Sequence, residues 1–265
     1  MSEPVIHRYE TREALAEALA TGVAAVLAGA IATEGVAQMA VSGGSTPKRF
    51  FEKLASIEID WKSVTITLVD ERWVPEENER SNAAMLRRHL LAGPAAAAHF
   101  LPFYEPSTMP EEVLDTLDNR FQPIGRAYDA VILGMGTDGH TASWFPHAPG
   151  LAECLDPASE AAVAIVHPTG MDEPRVTLTY PLVVEARFLA LHIEGEDKLE
   201  TFEAAKGDGP IEDMPVRAVL RAALFYLRAV LDLQPPRARR SLVGRQALQQ
   251  LRHRRERLPV HALFS

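Results

Sequence analysis

The sequence contains almost no cysteine, and it lacks several patterns by which proteins bind metals and nucleotides. Cys154 is the single cysteine among 265 residues, which excludes an internal disulfide and a cysteine-built zinc site and fits a reducing compartment. The histidines show no metal-ligand spacing, so we expect no bound metal. The G-x-x-x-x-G-K-[ST] loop that cradles nucleotide phosphates is absent.

Long hydrophobic runs and an overall positive charge are also missing. The first twenty residues have early acids and no basic-then-apolar signal pattern, and the apolar stretch 22–32 is too short to span a bilayer. The net charge of −9 makes nucleic acid a poor candidate partner. Residues 237–257 are the exception, with eight arginines and one acid. We interpret them as a solvated helix face, with a contact to nucleic acid as the alternative. We expect a cytoplasmic protein with no membrane or nucleic-acid partner.

The composition that remains is that of a soluble α/β protein, with 47% hydrophobic and 24% charged residues. The pattern predicts strands at 36–42, 63–70, 129–134, 161–167 and 187–195, and helices at 11–33, 46–56, 81–92, 110–122 and 196–207. This alternation predicts a mainly parallel sheet with helices on both faces, in which ligands bind beyond the carboxyl ends of the strands. We expect one domain, 1–265, with an atypical arginine-rich segment from about residue 235.

The first candidate site is "VSGGSTPKRF", residues 41–50, where a predicted strand leads through two glycines into a helix. Glycines allow backbone N–H groups to converge on an anion, and the hydroxyls of Ser45 and Thr46 add donors. Together with the positive end of the helix dipole, this arrangement is typical of a phosphate site. The alternative is a tight turn, with Thr46 as the N-cap and Pro47 as the first helical residue.

The second candidate site is "LVDERWVPEENERSN", residues 68–82, which places three charges where a predicted strand ends. Arg72 could hold a phosphate or a carboxylate through two parallel hydrogen bonds. Asp70 or Glu71 could act as a general base or orient one. A surface loop with internal salt bridges is the alternative.

The third candidate site, "GMGTDGHTASWFP" at residues 134–146, matches the G-x-G-x-x-G spacing of a dinucleotide site. Such a site also requires a helix on the glycines and an acid after the next strand. Here Pro146 ends the segment early, and the next predicted strand ends in His167. We therefore expect the glycines to bring Asp138 and His140 to the strand end, where a histidine is well placed for proton transfer. A structural histidine is the alternative.

Read in order, "SGGSTP", "DERWVP…SN", "GMGTDGHTASWFP", "RVTLT" and "EGEDK" resemble the glucosamine-6-phosphate isomerase/6-phosphogluconolactonase family over about residues 10–220. The lactonase branch is the more similar one, because the deaminating and isomerising branch usually has sequences closer to "DEY" and "GHIAFNEP" at the second and third sites. The resemblance implies a modified Rossmann-like fold without a nucleotide. It implies hydrolysis of 6-phospho-D-glucono-1,5-lactone to 6-phosphogluconate in the oxidative pentose phosphate pathway, with no metal or organic cofactor.

The resemblance also implies roles for individual residues. His140 would be the acid/base, with Asp138 beside it and Asp70 near the sugar. Arg175 and Lys198 would line the phosphate side, although a charge in such a position is more often a surface charge. The full set that would bind the sugar phosphate is Gly43, Gly44, Ser45, Thr46, Arg72, Asn82, Gly136, Arg175 and Lys198.

Two departures from the family stand out. Trp144 replaces the usual leucine or isoleucine, a change that we expect to alter packing only. The family's closing turn is matched twice, by residues 214–220 and 258–264, so that either one copy is an insertion, or the final strand is missing or replaced by residues 224–233. The sequence leaves open a deaminase or isomerase acting on glucosamine 6-phosphate, a non-catalytic sugar-phosphate-binding protein, and the oligomeric state.

Overall fold

The computed structural model describes residues 5–107, 109–121, 127–226 and 260–264. The strands in these ranges are β1 (Val5–Arg8), β2 (Ala37–Val41), β3 (Val64–Leu68), β4 (Asp70–Arg72), β5 (His99–Leu101), β6 (Ala130–Leu133), β7 (Val163–Val166), β8 (Arg175–Leu178), β9 (Phe188–His192) and β10 (Val260–Phe264). The helices are α1 (Arg12–Glu34), α2 (Lys48–Ala55), α3 (Asn82–His89), α4 (Leu114–Phe121), α5 (Leu151–Leu155), α6 (Tyr180–Val184), α7 (Glu196–Lys206) and α8 (Val216–Tyr226).

A seven-stranded sheet in the order β1-β10-β9-β6-β2-β3-β5 forms the body of the molecule, and every neighbouring pair in it is parallel. Its central strands are almost continuous apolar runs. All four residues of β6 and all five of β9 are buried, as expected for parallel strands that are covered on both faces. The predicted α/β class, with a mainly parallel sheet and helices on both faces, is confirmed.

Helix α1 follows the predicted range closely and contributes a large part of the core. The Thr11 hydroxyl accepts a hydrogen bond from the N–H of Ala14, and Gly35 ends the helix at φ 79°. The helix continues through Gly22, so it is longer than the apolar stretch 22–32. By length and composition alone it could cross a membrane, but 44% of its most apolar window is buried inside the fold. Its apolar face packs on α2 and the parallel sheet.

The second sheet has the order β4-β8-β7 and is antiparallel, which corrects two sequence-based expectations. The strand predicted at 161–167 is present as β7, but it lies outside the parallel sheet. The strand predicted at 63–70 ends at Leu68, after which the chain crosses to the second sheet as β4. Strand β8, residues 175–178, accounts for this arrangement. It lies between β4 and β7 and gives each of these two strands a hydrogen-bonded partner.

The family's final strand is present. Residues 260–264, from the second copy of the closing turn, form β10 between β1 and β9. The first copy, 214–220, instead leads into α8. Of the possible replacement 224–233, the first three residues belong to α8, and the rest lie outside the described residues, as does the arginine-rich segment 237–257.

Arg217 in α8 holds the end of α7 in place through a set of backbone contacts. Its side chain is buried, and its guanidinium donates to four carbonyl oxygens, those of Ala204 (3.4 Å), Ala205 (3.4 Å), Asp208 (3.2 Å) and Pro210 (2.9 Å). Hydrogen bonds from a charged donor are stronger than those between neutral groups. One side chain therefore ties the start of α8 to the end of α7 and to the loop that follows it.

We expect Arg217→Met to lower the free energy of unfolding by about 2 kcal/mol, because it removes a buried guanidinium and the four hydrogen bonds that it donates, of which the one to the Ala205 carbonyl is buried. Urea denaturation measures this change. The control is Arg88→Met, which alters an exposed arginine of α3 and should change the free energy by no more than about 0.5 kcal/mol. Equal effects of the two substitutions would contradict the assigned role of Arg217.

Candidate active site

An open pocket of about 260 Å³ lies where strands β2, β6 and β9 end. This is the position at which parallel α/β sheets bind ligands. The pocket brings together ten of the twelve residues predicted for the site, all except Asp138 and Arg175. Its lining consists of Ser42, Gly43, Gly44, Ser45, Thr46, Pro47, Phe51, Asp70, Arg72, Asn82, Ile132, Leu133, Gly134, Met135, Gly136, His140, Ala142, His192 and Lys198.

The turn 42–47 connects β2 to α2 and forms one wall of the pocket. The Ser42 hydroxyl accepts a hydrogen bond from the N–H of Gly134 at 2.8 Å, which ties the end of β2 to the end of β6. Thr46 is not the N-cap that the sequence predicted. Pro47 occupies that position, and no side chain caps the helix. The Thr46 hydroxyl instead accepts a hydrogen bond from Lys198 Nζ at 3.3 Å, so the start of α2 meets a cation at the pocket.

The wall that adjoins this turn is a hydrogen-bonded group at the junction of β4 and α3. Arg72 Nη1 donates to Asn82 Oδ1 at 2.6 Å and to the carbonyl of Arg80 at 2.7 Å. Asn82 Nδ2 donates to the carbonyl of Asp70 at 3.0 Å. Asp70 Oδ2 in turn accepts a hydrogen bond from the Ser143 hydroxyl at 2.5 Å. Three of the predicted residues are therefore held in fixed positions at the pocket.

Glu71 points away from the pocket, although the sequence suggested it as a possible base. Its side chain is buried and accepts hydrogen bonds at the N-terminus of α3, where Ser81 is the N-cap. Burial raises the pKa of Glu71 to about 6, even though backbone N–H groups of Asn82, Ala83 and Arg72 act in the opposite direction.

His140 and Asp138 form an imidazole–carboxylate pair at the edge of the pocket. Asp138 Oδ1 lies 2.5 Å from His140 Nδ1 and also accepts the backbone N–H of His140 at 3.1 Å. Burial tends to raise the pKa of Asp138, but the hydrogen bond and charge of His140 outweigh it and bring the pKa below its ordinary value. Since Nδ1 is engaged, Nε2 is the nitrogen that remains for a substrate. The Phe145 ring packs against the imidazole, with 4.5 Å between centroids.

The glycines of this loop are required by the side chains packed against them. A Cβ on Gly136 would lie 2.3 Å from the His140 ring. Gly139 has φ 80°, and a Cβ there would lie 2.8 Å from Met214, just before α8. The N–H of Val216 donates to the Gly139 carbonyl at 2.9 Å. The loop is therefore shaped around its own histidine and around the start of α8.

The two remaining predicted cations have different surroundings. Lys198 lies in the first turn of α7 and lines the pocket. Arg175 is buried in β8, directly opposite Arg72 on β4, and lies behind the pocket lining. Its Nη2 lies 3.4 Å from the Met171 sulfur, and Nη1 has no hydrogen-bond partner among the described residues. Burial, followed by the charge of Arg72, lowers the pKa of Arg175.

Sequence reasoning missed His192, which lines the pocket at the end of β9. It was considered only for metal-ligand spacing, although its position as the last residue of a parallel strand could have indicated it. Its Nε2 lies 3.3 Å from Glu194 Oε1. No group of three or more His, Cys, Asp or Glu side chains able to hold a metal occurs within the described part of the chain. The Trp144 ring is fully buried, and its Nε1 donates to the Leu178 carbonyl at 3.1 Å.

The fold and the pocket at its strand ends define a Rossmann-like α/β protein. A family model described as glucosamine-6-phosphate isomerases/6-phosphogluconolactonase matches residues 10–226, and the chain belongs to this family. A 6-phosphogluconolactonase of Rhizobium meliloti (strain 1021) is 48% identical over 223 residues, which are 84% of this chain and 96% of that relative. A 6-phosphogluconolactonase of Mesorhizobium japonicum is 47% identical over 215 residues, which are 81% of this chain and 90% of that relative.

Solved structures agree with this assignment. The crystal structure of a 6-phosphogluconolactonase from Shewanella baltica OS155 matches with a TM-score of 0.83 at 32% identity, covering 100% of this chain and 98% of that one. A monomeric glucosamine-6-phosphate deaminase matches with a TM-score of 0.67 at 14% identity, covering 98% and 96%. The second likeness shows the shared fold alone.

The raised pKa of Glu71 predicts a pH-dependent contribution to stability. The pKa rises from 4.5 to about 6 on folding, so the folded protein binds this proton more tightly than the unfolded chain. The resulting stability is present below pH 4.5 and is lost as the pH rises through 6, by about 2 kcal/mol in total. Relative to Glu71→Gln, the wild type should therefore gain free energy of unfolding between about pH 7 and about pH 5. Urea denaturation at each pH tests this, and a pH-independent difference would contradict it.

Proposed function

We propose that this chain hydrolyses 6-phospho-D-glucono-1,5-lactone to 6-phosphogluconate, with His140 as the general base and then the general acid. The observation that carries the proposal is the His140–Asp138 pair at the edge of a pocket that also holds Lys198 and Arg72. The 6-phosphogluconolactonases that are 48% and 47% identical to this chain support the choice of substrate.

The proton transfers follow from the orientation of His140. With Nδ1 bonded to Asp138, Nε2 accepts a proton from water as the water oxygen forms its bond to lactone C1. The bond from C1 to the ring oxygen then breaks, and the imidazolium returns the proton to that departing oxygen. The imidazole is unchanged at the end, and the product is an open-chain hydroxy acid.

Negative charge develops on the carbonyl oxygen during the attack. Backbone N–H groups of the glycine-rich loop 134–139, or a nearby cation, would stabilise that charge. Asp70, which Ser143 holds at the pocket, would accept a hydrogen bond from a sugar hydroxyl.

The 6-phosphate would bind at the other end of the pocket, against the turn 43–46. This turn offers backbone N–H groups, two hydroxyls and the uncapped start of α2. Lys198 lies beside Thr46 and adds a positive charge. Arg72 and Asn82 would reach the sugar phosphate from the wall that adjoins this turn, and Gly136 would line the pocket beside His140. Arg175 would add positive charge from behind Arg72.

Removing the proposed proton carrier tests the mechanism. We expect His140→Asn to lower kcat by about 10²–10⁴-fold while leaving 6-phosphogluconate binding largely intact, because general acid–base catalysis contributes by about that factor. Lactone freshly made from glucose 6-phosphate is followed with and without protein, since it also hydrolyses unaided. A folded His140→Asn variant with near-normal kcat would contradict the proposal and indicate that His140 has a structural role.

Removing the proposed phosphate-binding cation tests the substrate orientation. We expect Arg72→Ala to weaken substrate binding about tenfold or more, the effect of losing a charged hydrogen bond worth about 1.5–3 kcal/mol. Unphosphorylated gluconolactone should be a much poorer substrate of the wild type and should be less affected by Arg72→Ala. Equal kcat/KM for the two lactones would exclude the phosphate site.

The same assays separate the other functions that the fold allows. Release of ammonia from glucosamine 6-phosphate would indicate a deaminase. Binding of 6-phosphogluconate without any acceleration of lactone decay would indicate a non-catalytic binding protein. We expect acceleration of lactone decay and no ammonia.

A further inference from the structure

We propose that Glu71 is a positioning residue of this pocket, whose buried carboxylate sets the places of Arg72 and Asn82 without touching the substrate. The proposal goes beyond the assignment of the pocket, and it rests on the proposed function only for the identity of the ligand. Glu71 itself does not line the pocket, whereas the two residues that it holds do.

One carboxylate oxygen joins the two elements that carry these side chains. Glu71 Oε1 accepts the backbone N–H of Arg72 at 2.8 Å and the backbone N–H of Asn82 at 2.8 Å. The first donor belongs to β4 and the second to the first residue of α3. The strand and the helix are therefore fixed to the same atom, and the hydrogen bond from Arg72 Nη1 to Asn82 Oδ1 joins the side chains of the same two residues.

The second oxygen secures the helix. Glu71 Oε2 accepts the N–H of Ala83 at 2.7 Å and the Ser81 hydroxyl at 3.2 Å. The same Ser81 hydroxyl accepts the N–H of Ala84 at 3.1 Å, so the first turn of α3 is held by two side chains. A carboxylate at a helix N-terminus also interacts favourably with the helix dipole.

The position of α3 matters to the pocket because Asn82 lies directly against the phosphate-binding turn. A Cβ on Gly43 would be 2.0 Å from Asn82 Oδ1. There is no free space between the Asn82 amide and this turn, so a small displacement of the helix start moves the amide relative to both Gly43 and Arg72. Glu71 is thus connected to both walls of the pocket through hydrogen-bonded and packed atoms.

A carboxylate is the group that this position requires. Four donors converge on two oxygens, and glutamine offers only one acceptor oxygen, placing an NH₂ group against the donors on the other side. Aspartate keeps the charge but lacks one methylene, which withdraws both oxygens from α3. Glu71→Gln therefore tests the loss of acceptors, and Glu71→Asp tests the loss of reach.

We expect Glu71→Gln to raise KM for the phosphorylated lactone about tenfold, the equivalent of one charged hydrogen bond, while kcat per folded molecule changes by less than about threefold. Glu71→Asp should give a smaller rise. The rise should shrink in an Arg72→Ala background, because the residue through which Glu71 acts is then missing. If the increases in KM caused by Glu71→Gln and by Arg72→Ala simply multiply in the double variant, the two residues act independently and the proposal is overturned. A change confined to kcat would likewise assign Glu71 a structural role.

The matched control is Glu52→Gln. Glu52 contacts His89 at the other end of α3, at 2.8 Å, through a side chain that is 60% exposed. It makes a carboxylate contact to the same helix outside the pocket lining, so its substitution should leave KM and kcat unchanged. An equal rise in KM from Glu52→Gln would show that any disturbance of α3 suffices.

A readout independent of activity separates this proposal from the proposed function. Backbone hydrogen exchange at Asn82 and Ala83 should be faster in Glu71→Gln than in wild type at pH 7, and 6-phosphogluconate should bind about tenfold more weakly by calorimetry. If the wild type does not hydrolyse the lactone, the function fails while these two measurements still report on Glu71. Unchanged exchange at both amides would overturn the positioning role.

Discussion

The geometry of the pocket depends on the point where the chain leaves one sheet for another. At Val69, between β3 and β4, the N–H donates to the Val41 carbonyl of the parallel sheet at 2.9 Å. The Val69 carbonyl accepts the N–H of Leu178 at 2.8 Å and the Thr177 hydroxyl at 3.2 Å, both from β8. One residue is thus hydrogen-bonded to both sheets. This junction places Asp70, Glu71 and Arg72 over the ends of the parallel strands. A straight continuation of β3 would have carried these three residues beyond the strand ends.

The alternation of side chains along β4 then separates the three charges of that motif. Successive residues of a strand point to opposite sides, so Asp70 and Arg72 line the pocket while Glu71 lies buried under α3. The same chemical group has two different uses one residue apart. Asp70 keeps an exposed edge and accepts from Ser143, whereas Glu71 is fully desolvated and surrounded by donors. Burial explains why the raised pKa belongs to Glu71.

The parts of the fold that were predicted from the sequence are those with strong local patterns. Helix α1 and strands β2, β6 and β9 were predicted because long apolar periodicity and buried runs mark them. The second sheet was not, because β4 and β8 are short and are defined by pairing between residues more than 100 positions apart. The position of ten predicted site residues at one pocket followed from the rule that parallel strands end at one edge. The capping of α2 was mispredicted: Pro47 is the N-cap, and the Thr46 hydroxyl accepts from a distant lysine, Lys198, a contact that the local sequence does not reveal.

The glycine-rich loop shows why spacing alone could not decide between a nucleotide site and a histidine site. In both kinds of site glycine is needed because another group, a ligand or a neighbouring side chain, occupies the space that a Cβ would fill. The sequence does not reveal which group this is. Here the His140 imidazole fills the space beside Gly136, and Met214 fills the space beside Gly139. A pyrophosphate would need the space that the imidazole occupies. The loop therefore presents the His140 ring to the pocket. Asp138 contacts Nδ1 of this ring and accepts a hydrogen bond from the backbone N–H of His140. Asp138 thereby determines that a ligand meets the other ring nitrogen, Nε2.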